Sequence, residues 1–144
     1  MPAWVDDGFA DYVKRMPRGY PVELVELKPA SRTEGRSVQQ LLDQEAIRIE
    51  QGCAGHRIIA CDERGQAWST RQLADALARW HDDAERVAFV IGSADGLSER
   101  VRGSASMLLA LSSLTLPHGL VRVLLAEQLY RAVSLASGHP YHRE

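Results

Sequence analysis

A chain of 144 residues, 45% hydrophobic and 25% charged, suits one domain spanning 1–144, with a core that needs neither a disulfide nor a metal. Its formal net charge of -2 excludes a global attraction to nucleic acid, so any RNA contact must come from a local basic patch or a surface shared between subunits. Cys53 and Cys61 form no CxxC pair, Asp6, Asp7 and Asp11 interrupt any early secretory run, and no apolar stretch approaches the ~18 residues of a membrane span, so a cytoplasmic protein is expected.

In chain order, Val5, Phe9, Tyr12, Val13 and Met16 recur at helical spacing, with Pro2 near the first turn and Pro17-Arg18-Gly19 at the end. The alternation from Pro21 to Leu27 predicts a strand with one polar face. Lys28 to Arg36 read as a polar loop. Ser37 with Gln40 then opens a helix whose apolar stripe is Val38, Leu41, Leu42, Ala46 and Ile49. Ile58 to Cys61 has the unbroken apolarity of a buried parallel strand, followed by a turn around Gly65. Ser69 and Gln72 open a further helix, with Leu73, Ala76, Leu77 and Trp80 on its buried side. Val87 to Ile91 is a second buried strand, broken at Gly92 to Gly96. A short helix from about Ser98, a strand from Met107 to Leu111, a loop, and a long helix from about Leu120 complete the chain. Strands alternating with helices predict an α/β fold with a mostly parallel sheet covered on both faces.

In such sheets ligands gather beyond the carboxyl ends of the strands, which here are Cys61-Asp62, Gly92 to Gly96, and Leu111 to Pro117. The glycines at 92 and 96 permit close approach of a ligand, or simply make a strand-to-helix turn. Neither GxGxxG nor a Walker loop is present, and no histidine pair has zinc spacing. His139 and His142 are three apart across Pro140, near a terminus of the kind that commonly frays. Arg122, Arg131 and the loop residues Lys28, Arg32 and Arg36 are anion binders or ordinary surface charges on this reading alone.

The string Leu111-Ser112-Ser113-Leu114-Thr115-Leu116-Pro117-His118, the run Glu127-Gln128-Leu129-Tyr130-Arg131-Ala132 and the final His139-Pro140-Tyr141-His142-Arg143-Glu144 closely resemble the RlmH family of knotted ribosomal RNA methyltransferases. The likeness extends through Met1 to Val5, Pro21 to Leu27 and Val90-Ile91-Gly92, and so covers essentially the whole chain. It implies a SPOUT fold with a C-terminal trefoil knot, a homodimer, and transfer of methyl from S-adenosylmethionine to N3 of a pseudouridine in helix 69 of 23S rRNA within the large subunit or 70S ribosome. By position, Cys61, Gly92, Leu111, Ser112, Ser113, Leu114, Thr115 and Leu116 are expected to line the cofactor pocket. Arg131, Tyr141, His142 and Arg143 fall at substrate-site positions, where the arginines would favour the N3 anion, His142 would accept a proton and Tyr141 would stack on the base.

Three departures from the family stand out. Its first strand, about ten residues that lie inside the sheet, precedes the segment matching Met1 to Val5, so the start is expected upstream, and without it backbone groups and apolar neighbours are left open. Gly92-Ser93-Ala94-Asp95-Gly96 replaces Gly-Gly-Pro-Glu-Gly, which alters the loop's fit to the cofactor. Gly119 replaces a proline, which loosens the start of the last helix. Two other readings stay open: an inactive SPOUT-like dimer module, and a SPOUT methyltransferase acting on another RNA.

Overall fold

The structure, a computed structural model, describes residues 1–27, 35–93, 95–138 and 141. Its elements run α1 (Ala3–Val13), α2 (Val38–Gly52), β1 (Arg57–Ala67), α3 (Thr70–Asp82), β2 (Val87–Ile91), α4 (Glu99–Ser104), β3 (Met107–Ala110) and α5 (His118–Ala136). The three strands are parallel in the order β2-β1-β3, with Ile59 opposite Phe89 on one side and Met107 on the other.

The period of two along a strand explains the layers. Ala60 and Val90 point to one face and pack with Ala46 of α2 and with Leu97 and Val101 at α4. Ile59, one residue earlier, points the other way and packs with Ala76 and Trp80 of α3 and Leu109 of β3. On that side α5 contributes Leu125, Leu129 and Ala132 against Leu73 and Ala74. Helices therefore cover both faces, and β1 lies in the middle with Ile59 fully buried, worth roughly 2–3 kcal/mol of transfer free energy. Both serine–glutamine capping boxes form: Ser37 and Ser69 accept from the amides of Gln40 and Gln72, whose side chains bond back to the serine amides.

Several elements differ from the sequence expectations. Pro21 to Leu27 is not a strand: no described strand pairs with it, and an alternating pattern without a hydrogen-bonding partner makes no ladder. Leu24, Val25 and Leu27 are instead exposed, and this segment and the β2 residues Ala88 and Val90 border the same cavity of about 1060 Å³. The expected turn at Gly65 lies inside β1. Cys61 and Gln66 both face Leu109, so the residues between them are looped out before pairing resumes at Gln66. Val38, expected in the buried stripe of α2, is exposed at the first position of the helix. Helix α5 begins at His118 rather than near Leu120. Pro117 caps it, and Gly119 lets α1 approach, since a Cβ there would sit 3.1 Å from the Val5 side chain.

Candidate active site

Strand order dictates where a site forms. From β1 the chain moves outward to β2, and from β2 it crosses back over β1 to reach β3, so a crevice opens at the carboxyl ends, between loops that diverge. Three of the expected cofactor positions converge there. Cys61 is in register with Ile91 and Leu109, Gly92 follows Ile91, and Leu111 follows β3; Cys61, Ile91 and Leu111 all pack against the cluster of Leu73, Leu125 and Leu129. Burial pushes the Cys61 thiol up to about 12, so it is neutral and apolar at physiological pH.

The glycine loop is a tight turn. Gly96 has φ +80° and donates its amide to the Ser93 carbonyl at 2.9 Å. A Cβ on Gly92 would lie 2.7 Å from the Gly96 carbonyl, so both glycines are required by the backbone itself. From Leu111 to Leu116 the chain has no regular structure. Ser112 Oγ accepts from the Leu114 amide at 2.9 Å, and Thr115 Oγ1 donates to Glu63 Oε2 at 2.6 Å, which ties this loop to β1. Ser113, Leu114 and Thr115 are exposed, Leu114 to 72%. The 1060 Å³ cavity reaches Gly92 and Gly96, while Cys61 and the 111–116 loop lie outside its lining.

Beside the loop lie the neutral Cys61 thiol and leucines, and among the described residues no loop hydrogen bond uses the backbone amides of Ser113, Thr115 or Leu116. Among the described residues, the charged group hydrogen-bonded to the loop is the Glu63 carboxylate.

A second group forms where α5 faces α1. Arg131 Nε and Nη2 each lie 2.7 Å from Glu127 Oε1, one helical turn back, and the Arg131 guanidinium sits 4.9 Å from the Tyr141 ring centroid. Tyr141 returns along α5, after Gly138 (φ +74°), to lie 4.5 Å from the Tyr130 ring and to donate to Glu127 at 3.2 Å. Burial, hydrogen bonding with Tyr12 and the Glu127 charge push the Tyr141 hydroxyl up to about 12, so it stays a donor. Arg131 and Tyr141 thus meet, whereas His142 and Arg143 lie outside the described residues, as do Lys28, Arg32 and His139. Arg122 binds Glu26 at 2.8 Å and is only 14% exposed, a structural ion pair that joins α5 to the 21–27 segment. Sequence reasoning overlooked Glu127, Glu63 and Tyr12; the i,i+4 spacing of Glu127 and Arg131 was the one signal available.

Among the described residues no cluster of His, Cys, Asp or Glu can hold a metal, and no helix is long and apolar enough to cross a membrane. A family profile described as "Predicted SPOUT methyltransferase" matches residues 1–142. The chain is 54% identical over 144 residues to the ribosomal RNA large subunit methyltransferase H of Nitrosospira multiformis, covering 99% of this chain and 92% of that protein. The enzymes of the same name from Burkholderia vietnamiensis and Burkholderia ambifaria match at the same identity and coverage.

Proposed function

The chain belongs to the SPOUT methyltransferase family, and from that premise we propose that it is a cytoplasmic, homodimeric ribosomal RNA methyltransferase of the RlmH type. On this reading it transfers methyl from S-adenosylmethionine to N3 of a pseudouridine in helix 69 of 23S rRNA. The observation that carries the proposal is the convergence of Cys61, Gly92 and Leu111 at the carboxyl ends of three parallel strands, in a chain 54% identical to proteins bearing that enzyme's name.

When bound, the cofactor supplies an electrophilic methyl carbon on a sulfonium. The chain's own work is placement: sulfur, carbon and N3 must approach a line, and holding them there accounts for much of the rate. The loop Leu111 to Leu116, which in this proposal lies within the family's knot, offers main-chain donors and acceptors to adenine and methionine. Arg131 places positive charge near the base and favours the N3 anion. Tyr141, tilted against Tyr130, offers a ring for stacking. His142 and Arg143 are assigned to the same substrate site, the former as proton acceptor. A dimer would set this group against its partner's cofactor and double a small basic surface.

The test is methyl incorporation into ribosomes with and without the helix 69 pseudouridines, alongside calorimetry with S-adenosylmethionine. Incorporation that depends on pseudouridine is the expected result. Equal methylation of both substrates would assign the chain to another RNA, and failure of the folded chain to bind cofactor would leave a non-catalytic module.

A further inference from the structure

Resting on the reading of Arg131 and Tyr141 as substrate groups, we propose that Glu127 is the positioning residue of that site, holding both side chains in the orientation that meets the RNA.

Glu127 is a hub. Its Oε1 receives Arg131 Nε at 2.7 Å and the Tyr141 hydroxyl at 3.2 Å, while Oε2 receives Gln128 Nε2 at 2.7 Å. Gln128 in turn accepts from Thr70 Oγ1, at the start of α3, at 2.8 Å. One carboxylate therefore links α5, the terminal segment and the first turn of α3. Its side chain is 14% exposed and that of Arg131 30%, so water competes less than at an ordinary surface i,i+4 pair.

The geometry has a consequence for Arg131. A guanidinium is a rigid planar fork, so committing Nε and Nη2 to one carboxylate fixes the plane of the whole group. Nη1 then remains as a donor in a set direction, while the Tyr141 ring lies under the cation at 4.9 Å. Tyr141 is held at three points: its hydroxyl by Glu127, its ring by Tyr130, and Tyr12 of α1 by hydrogen bonding. Remove the carboxylate and Arg131 regains its rotamers while Tyr141 loses its polar anchor. Both changes weaken alignment of the base before they touch the cofactor loop, which is attached through Glu63 instead.

The experiment compares wild type, Glu127→Ala, Glu127→Gln, Tyr141→Phe and the Glu127→Ala/Tyr141→Phe double variant. It reads kcat and KM with ribosomes, S-adenosylmethionine affinity by calorimetry, and melting temperature. Glu127→Ala is expected to lower kcat about 10- to 100-fold, the scale of lost alignment, with cofactor affinity within about twofold of wild type. Glu127→Gln, the same shape and still an acceptor, should recover part of that loss, and the double variant should lose less than the product of the singles. Arg100→Ala, which breaks an exposed pair with Glu50, is the control that leaves kcat unchanged. Full kcat in Glu127→Gln and Glu127→Ala overturns the proposal, as does activity that merely follows cofactor affinity and melting temperature. A wild type that methylates no rRNA would overturn the substrate-site reading and this proposal with it; an active wild type with indifferent Glu127 variants would overturn this proposal alone.

Discussion

Three glycines show how much depends on what a methyl group would meet. At Gly65 a Cβ would lie 2.5 Å from the backbone carbonyl of Leu108, and peptide atoms in a paired strand have nowhere to go. Gly65→Ala should therefore push β1 off β3 and cost about 2–3 kcal/mol, read as a lower urea midpoint at unchanged slope. Gly103 is the opposite case, a helical glycine with nothing within 4 Å, and Gly103→Ala should add about 0.5–1 kcal/mol by the same measurement. At Gly92 the obstructing atoms belong to Gly96, so an alanine would strain the turn at the carboxyl end of β2. Asp62 offers a different test at this scale. Hydrogen bonds from Arg64 hold its carboxyl below the usual range, against the opposing effect of burial. A depressed carboxyl stabilises the fold above its unfolded value and loses that contribution as pH falls through the folded one. Asp62→Asn should thus be less stable than wild type near pH 7 by about 0.5 kcal/mol, since Arg64 is largely solvated. The gap should close in melts below about pH 4.

Helices were legible because their starts are chemical. Ser37 and Ser69 each precede a glutamine by three residues, and both pairs close reciprocally on the backbone. Ser69→Ala should cost about 1 kcal/mol in urea denaturation, and because Thr70 at that helix start bonds Gln128 beside Glu127, it should also lower rRNA methylation. Ser37→Ala, on the other face of the sheet, should carry a similar stability cost with methylation unchanged. Strands were legible where an unbroken apolar run marked them, as at Val87 to Ile91, although only Val90 is buried there. Pro21 to Leu27 has the alternation of a strand, but alternation describes two faces and says nothing of a partner edge. The loop-out between Cys61 and Gln66 likewise depends on β3, far along the chain. Strand ends together with the family resemblance singled out Cys61, Gly92 and Leu111, and the strand register sets these three side by side at the carboxyl ends of the sheet. Glu127 did not stand out, because its partner Tyr141 is fourteen residues away, beyond the end of α5.

Across the whole molecule, the charge pattern constrains how RNA is held. The net charge is -2, and five of the described arginines are already paired: Arg57 with Glu85, Arg64 with Asp62, Arg100 with Glu50, Arg122 with Glu26 and Arg131 with Glu127. Each pairing cancels most of the field a phosphate would feel at a distance, so counterion release supplies little of the binding free energy. Affinity must come from stacking, shape and short-range hydrogen bonds, a mode suited to a folded ribosomal surface more than to a flexible strand. The consequence is a shallow salt dependence. Between about 50 and 200 mM salt, affinity for ribosomes should fall roughly tenfold, as for two neutralised phosphates in all, instead of the 10³–10⁵ of proteins making six to ten such contacts. Filter binding across a salt series measures the slope directly. A slope as steep as that of basic nucleic-acid binders would mean that these ion pairs open on the ribosome and that their arginines turn to phosphate.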